Sequence, residues 1–473
     1  MTRLIPWLCA ALSGLLMFFS MGLAGTVAPG LGVLWVVALL APVPVLWFAF
    51  RAERGWAAFL AAFAASALGA CNILPAYAGV LPPAILVPAL LTPALGFALA
   101  VAGARFVVRR VAPISGAVAF AALWTGVDYL LSLGPNGAAS SPAYAQIGMP
   151  AMLQIASVFG LWGITFVVAL FAAALAMFAA TKERTMAVLA VAVLALDLGY
   201  GAYRLQTAPE RTKVTVGLAA DDTLVPLRFK EDETSALKVV KAYAGAGKTL
   251  AQQRTDLIVI PERVAVLKPE WRGTANADLE TVAHGGHTAV VMGFDDRTPP
   301  RSNAALYYFA NGAAPIAYAK RHLIPGLESV FEPGKKSFMT SEFTGVAVCK
   351  DMDFPASVRT EAVLQPSLYA VPAWDFDKDG AWHARLAIMR GVENGFAVAR
   401  AANNGLLTVS DAYGRVIAAK ATAGGGMVTL RAEVARGPGR TLYADIGDGL
   451  AYIALAMSFL LLVVAVAASK RAV

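Results

Sequence analysis

Charged side chains are scarce in this chain: 15% of 473 residues, against 58% hydrophobic ones and a mean hydropathy of +0.62. So little charge excludes an ordinary soluble multidomain protein, and so much apolar surface excludes disorder. Cysteine is rarer still, with Cys9, Cys71 and Cys349 alone. The first two fall inside apolar runs, so a disulfide framework is excluded and Cys349 is left as a single thiol in its region. There are four histidines. His284 and His287 have the spacing of a metal pair but no helix and no cysteine beside them, so neither a metal nor an organic cofactor is expected. No unit of 20–50 residues recurs, which excludes a repeat protein.

What is present is blocks of apolar sequence. They run near 4–24, 31–50, 56–77, 84–107, 112–134, 153–180, 185–203 and 447–468, each close to the length a helix needs to span a bilayer. The first is too long, and too closely followed by a second, to read as a cleaved signal peptide. Arg3, Arg51/Arg54, Arg105/Arg109/Arg110, Lys182/Arg184 and Lys470/Arg471 occupy alternate connections. The intervening ones, Thr26–Gly30, Tyr77–Pro83 and Gly134–Pro150, have no Lys or Arg. The formal charge of +8 is therefore topological, and a nucleic-acid partner is not expected. Under the positive-inside rule both termini are cytoplasmic and the long polar region lies outside. Asp128 and Asp197 fall toward the outer ends of their spans and read as interfacial.

This gives three parts: a membrane domain over 1–205 with about seven helices, an extramembrane domain over 206–445, and a last helix with a short tail over 446–473. Within the second, the expected strands are Val214–Leu218, Asp256–Pro261, Thr288–Phe294, Ala305–Phe309, Pro315–Ala319, Gly345–Cys349, Ser367–Pro372, Ala397–Ala402, Leu406–Ser410 and Met427–Ala432. Helical periodicity covers Ser235–Arg254 and Ala381–Gly395, and the mixture predicts an α/β layered domain. Gly245-Ala246-Gly247-Lys248-Thr249 mimics a phosphate loop, but Ala242 stands where its first glycine belongs and the segment is helical.

A thiol nucleophile needs a base and a cation or other donor for the oxyanion. Glu262 follows one apolar run, Lys320 another, and Cys349 ends a third, so all three converge at the carboxyl rim of a sheet. Lys350 stands next to the nucleophile, on the opposite face if the strand continues.

Ile260-Pro261-Glu262, Tyr318-Ala319-Lys320-Arg321-His322-Leu323-Ile324-Pro325 with Glu328, and Cys349-Lys350-Asp351 with Phe354-Pro355 and Arg359 resemble the Glu–Lys–Cys triad of the nitrilase (carbon–nitrogen hydrolase) superfamily. Several spans, an external nitrilase-like domain and one last span are similar to the bacterial apolipoprotein N-acyltransferase family. The resemblance implies an αββα sandwich and acyl transfer in the inner membrane, with the catalytic domain on the periplasmic side. Glu262 would be the base, Lys320 the oxyanion partner and Cys349 the thioester carrier, with Glu328, Asp351 and Trp374 in support or at the substrate. The partners implied are a phospholipid acyl donor and a lipoprotein amine. A membrane-tethered amidase, or a divergent relative acylating another amine, is the alternative. The surroundings depart from the family pattern at Ile260, Gly217-Leu218-Ala219, Lys350-Asp351 and Val371–Phe376. His383 reads as a helix-start hydrogen bond, and Arg390, Glu393 and Arg400 as one structural charge cluster.

Overall fold

A computed structural model of the protein describes residues 4–22, 32 and 34–471. Arg3 and the Thr26–Gly30 connection lie outside the described residues. The chain divides into two units, Met1–Ala208 with Asp445–Val473, and Pro209–Ala444.

Among the described residues of the first unit six helices are long and apolar enough to cross a membrane: Gly55–Tyr77, Pro83–Val108, Pro113–Ser132, Leu161–Thr181, Arg184–Gln206 and Gly449–Lys470. Eight blocks were expected, and the difference lies in the first two. The first forms a helix of 16 residues, Ile5–Ser20. The second breaks into Trp35–Leu40 and Val43–Arg51, where Pro42 and Pro44 remove backbone donors. The helices pack through small side chains. A Cβ at Gly69 would come 2.5 Å from Met17 Cβ, and one at Gly201 would meet the carbonyl oxygen of Ala151 at 1.9 Å. Asp128 and Asp197 are both buried within the unit. Asp128 accepts hydrogen bonds from Ser141 and Thr165, each at 2.7 Å.

The second unit begins with β1 (Lys213–Asp221), whose side chains alternate between two cores. Val216, Leu218 and Ala220 face one; Ala219 faces the other. The same alternation continues in β2 (Leu257–Val259) and β4 (Ala289–Asp296), so both faces of these strands are covered and they read as unbroken apolar runs. Together with β3 (Ala265–Leu267), β5 (Ser302–Tyr308), β6 (Ile316–Ala319) and β12 (Met427–Ala435) they form a seven-stranded sheet of order β12-β1-β2-β4-β5-β6, with β3 paired to β4. The second sheet, of order β11-β10-β9-β8-β7, contains β7 (Thr344–Val346), β8 (Leu368–Trp374), β9 (Ala397–Asn403), β10 (Leu406–Ser410) and β11 (Val416–Ala421).

The two sheets meet in one apolar core. The helices Glu233–Gln252 and Pro269–Gly285 cover the outer face of the first sheet through a separate core. The helix Gly380–Asn394 helps cover the second. The result is an αββα sandwich. Pairings β1–β2, β2–β4, β7–β8 and β8–β9 are parallel, which directs several carboxyl ends to one rim.

Candidate active site

Glu262 comes three residues beyond β2, Lys320 directly after β6, and Trp374 closes β8. Cys349 departs from its expected place. Its strand stops at Val346, and the thiol residue opens a 3-10 turn, Cys349–Asp353, with φ +43°. A side chain at positive φ is strained and is held by its surroundings. Here Asp351 N donates to Val348 O, and Val348 N donates to the Asp351 carboxylate, both at 3.0 Å. Because the chain has left the strand, Lys350 does not follow strand alternation. Its ammonium pairs with Asp353 at 3.4 Å.

Glu262 and Lys320 are fully buried and meet at 2.8 Å. The Lys320 ammonium also reaches Glu328 at 2.9 Å. Asn303 bridges the two acids, donating to Glu262 at 2.6 Å and to Glu328 at 2.7 Å. Glu328 accepts further from Ile324 N at 2.7 Å, which ties the loop after β6 to the site. Gly293 makes room for this arrangement. A Cβ there would lie 2.6 Å from the Glu262 Cα, so no larger residue lets the β2 loop approach β4. The Glu262 N–H donates to Ala373 O at 3.1 Å and links the loop to the second sheet.

The electrostatics follow from these contacts. Burial acts to raise the Glu262 pKa, but Lys320, Asn303 and Arg263 outweigh it and hold the carboxyl below its ordinary value. Burial acts to lower that of Lys320, but Glu262, Glu328 and Cys349 hold it well above. Burial, followed by the Glu262 charge, pushes the Cys349 thiol well up, with Lys320 and Arg400 opposing. These directions favour a neutral thiol, a carboxylate and an ammonium at rest. Cys349 Sγ lies 3.7 Å from the carbonyl oxygen of Trp374.

Asp351 accepts from five donors: Tyr318 Oη at 2.8 Å, Arg321 N at 3.1 Å, His322 N at 2.9 Å, the Val348 N already named, and His322 Nδ1 at 3.0 Å. It thus fastens the Lys320 loop to the Cys349 turn and positions both. Glu328 holds Lys320. The expected cluster of Arg390, Glu393 and Arg400 separates. Arg390 meets Glu393 at 3.0 Å, whereas Arg400 lies on β9 and pairs with Asp375, because the parallel β8–β9 register sets Asn403 beside Trp374 and brings these strand ends together. His383 Nε2 lies 3.1 Å from Asp379 Oδ2 at the start of its helix, as read from the sequence. Asn303, Gly293, Asp375 and Arg228 were not picked out from the sequence. Asn303 alone left a signal, a polar residue opening the apolar run Ala304–Phe309.

Comparison with known proteins agrees with this architecture. The family model "Apolipoprotein N-acyltransferase N-terminal domain" matches residues 13–174, and the carbon–nitrogen hydrolase model matches residues 224–434. The chain is thus similar over 224–434 to the carbon–nitrogen hydrolase (nitrilase) superfamily, beside a first unit whose helices are long and apolar enough to cross a membrane. Apolipoprotein N-acyltransferase of Haemophilus ducreyi is 25% identical over 92% of this chain and 93% of its own length. That of Azotobacter vinelandii is 25% identical over 81% of this chain and 82% of its own. Within that superfamily, the likeness over nearly the whole chain is to apolipoprotein N-acyltransferases. Among solved structures, an amidase from Nesterenkonia sp. aligns with a TM-score of 0.38 at 19% identity, covering 46% of this chain and 89% of its own. A carbon–nitrogen hydrolase from Helicobacter pylori G27 aligns at 0.38 and 16%, covering 51% and 92%.

Proposed function

We propose that the protein moves an acyl chain from a phospholipid, through a thioester on Cys349, to the N-terminal amine of a lipoprotein. The observation that carries this reading is the buried Glu262–Lys320 pair, tied through Glu262 N to Ala373, next to the Trp374 whose carbonyl meets the one thiol of the unit. It is supported by the near full-length likeness to apolipoprotein N-acyltransferases. Residues 206–445 are the catalytic domain in this reading, on the periplasmic side of a bacterial inner membrane, with 1–205 and 446–473 embedded.

The steps balance with these side chains. As Cys349 Sγ attacks the ester carbonyl, its proton passes to Glu262, and Lys320 stabilises the developing oxyanion. Proton transfer to a carboxylate held low is uphill at rest, so it proceeds only as the sulfur bonds to carbon. Collapse breaks the ester C–O bond, and Glu262 returns the proton to the departing lysophospholipid oxygen. The acceptor amine then attacks the thioester, Glu262 takes its proton, the C–S bond breaks, and the thiol is restored as the amide leaves.

The test is intact-protein mass spectrometry of the purified full chain with phospholipid, beside Cys349→Ser. A gain of one acyl mass, removed by hydroxylamine and absent from the variant, is expected. No acyl-enzyme from any membrane phospholipid would sink the lipid-donor mechanism.

A further inference from the structure

The turn Asp222–Leu227 ends at a side chain that the acyl-transfer machinery leaves unused. Arg228 is 1% exposed, and none of its three guanidinium nitrogens has a hydrogen-bond partner among the described residues. A buried guanidinium without acceptors is unfavourable. The loop holding it is nevertheless well fixed. Asp222 accepts from Asn404 N at 2.7 Å and from Thr422 Oγ1 at 2.8 Å, and Asp221 accepts from Thr223 N at 2.9 Å.

Its position gives that cost a purpose. The guanidinium lies over the Trp374 ring, 3.2 Å from the centroid, and the carbonyl of the same Trp374 contacts Cys349 Sγ. The Trp374 indole N–H is likewise buried and without an acceptor. One residue thus joins the nucleophile to two unused donors. The nearby acids cannot serve Arg228: Glu262 and Glu328 are bound to Lys320 and Asn303, and Asp295 is shared by Arg297 and Arg301. Burial, then the Arg263 charge, lowers the Arg228 pKa to about 9, which leaves it a cation at neutral pH. Beside it Phe229 is 57% exposed, with its ring 4.5 Å from the guanidinium. A cation with unused donors next to an open apolar side chain matches a ligand that is anionic at one point and greasy at the next.

Resting on the acyl-transfer reading, we infer that Arg228 is the residue that binds the phosphodiester of the acyl donor and sets its ester at Cys349. Only the glycerol carbons separate a phospholipid's ester from its phosphate, and only Trp374 separates Arg228 from the thiol. Arg228 acts as a donor-specificity residue, apart from the Glu262–Lys320–Cys349 chemistry.

The experiment measures acyl-enzyme formation by the full chain in detergent from two donors of equal acyl length, a phospholipid and a phosphate-free diacylglycerol. Arg228→Gln lowers kcat/KM for the phospholipid about 10- to 100-fold, the range for losing hydrogen bonds to a charged group, and lowers it far less for the diacylglycerol. Arg228→Lys, which keeps the charge, retains most of the preference. Inorganic phosphate slows the wild-type reaction with phospholipid and leaves that of Arg228→Gln unaffected. Equal losses with both donors would make Arg228 a structural residue and overturn the inference, as would an unchanged donor ratio. If phosphate competes while the ratio stays the same, the subsite takes free anions and the lipid assignment falls. A wild-type protein acylated by neither donor overturns the acyl-transfer reading itself, and the inference with it.

Discussion

The two units treat buried polar groups in opposite ways. In the helical unit they are few and largely neutral, and the helices approach through glycine and alanine. Ala58, Ala61, Ala62 and Ala65 line one buried stripe, and Asn72 donates to the carbonyls of Phe18 and Gly22. In the α/β unit, full charges are buried together: Glu262, Lys320 and Glu328 form one group, Arg400 with Asp375 another, and Arg390 with Glu393 a third. Close packing asks nothing of pH or of any partner group, whereas a buried ion pair fails once one member is removed. The difference teaches that only the second unit is built around a reaction. The first two of these groups stand at the rim with the thiol, and the third lies where the helix Gly380–Asn394 leads into β9.

The most severe way to break the comparison is Lys320→Met. It leaves two carboxylates buried without their cation, a loss of about 3–5 kcal/mol, and removes the oxyanion partner, lowering acyl-enzyme formation by about 10²–10³. The pH dependence separates the two effects. In the wild type Glu262 is held low, so its contribution to stability is present above the ordinary carboxylate range and is lost as pH falls through its folded pKa. In the variant Glu262 loses Lys320, the largest of the groups that hold it low, so its burial favours the protonated form. The stability gap between variant and wild type should therefore narrow as pH falls, read as denaturation midpoints across a pH series. A constant gap would mean that Lys320 acts through packing.

Asp351→Asn is expected next in size. An amide keeps one acceptor oxygen but turns an N–H₂ toward donors that Asp351 now serves, leaving backbone groups of Arg321, His322 or Val348 unpaired. A loss of about 1–3 kcal/mol follows, along with slower acylation, because the Lys320 loop and the Cys349 turn lose their shared anchor. Unchanged acylation at reduced stability would separate anchoring from catalysis.

Gly201→Ala probes the other unit. The new methyl meets the Ala151 carbonyl at 1.9 Å, so the helices Arg184–Gln206 and Pro150–Leu153 must move apart. The expected cost is about 1–3 kcal/mol, independent of pH. A pH-dependent loss would show that this unit, too, relies on titrating groups.

Charge spacing and apolar periodicity made most of the fold legible. Where strands are buried on both faces, as β4 and β9 are, runs such as Val290–Phe294 and Ala397–Ala402 announce themselves. β3 and β11 escaped: Ala265–Leu267 is too short to show a period, and Val416–Ala421 is an edge strand of mixed burial. Glu262, Lys320 and Cys349 were read as candidates because the first two follow apolar runs, the third ends one, and all three resemble the nitrilase triad. Two things about the site were not. The left-handed turn at Cys349 has no glycine to mark it, since it is imposed by Asp351 from within the turn. Arg228 lies in a loop with no periodicity, and only folding shows that its charge goes unpaired.

The smallest expected effect sharpens the comparison from the alkaline side. All four histidines belong to the second unit, and His383 stands beside Asp379 where the chain leaves Trp374 for its next helix. Burial acts to lower the His383 pKa, but Asp379, with Asp353 and Asp375, outweighs it and holds the ring above its ordinary value near 6.5. A raised folded pKa means the pair's contribution is complete below the unfolded value and is lost as pH rises through the folded one. Protection of the helix Gly380–Asn394 against hydrogen exchange, corrected for the intrinsic rate, should fall across that window. In His383→Gln the decline should flatten, while the helices of the first unit show none in either protein. If the decline persists in His383→Gln, another group is its source. If it spreads to the membrane helices, the division between a packed unit and a charged one is wrong.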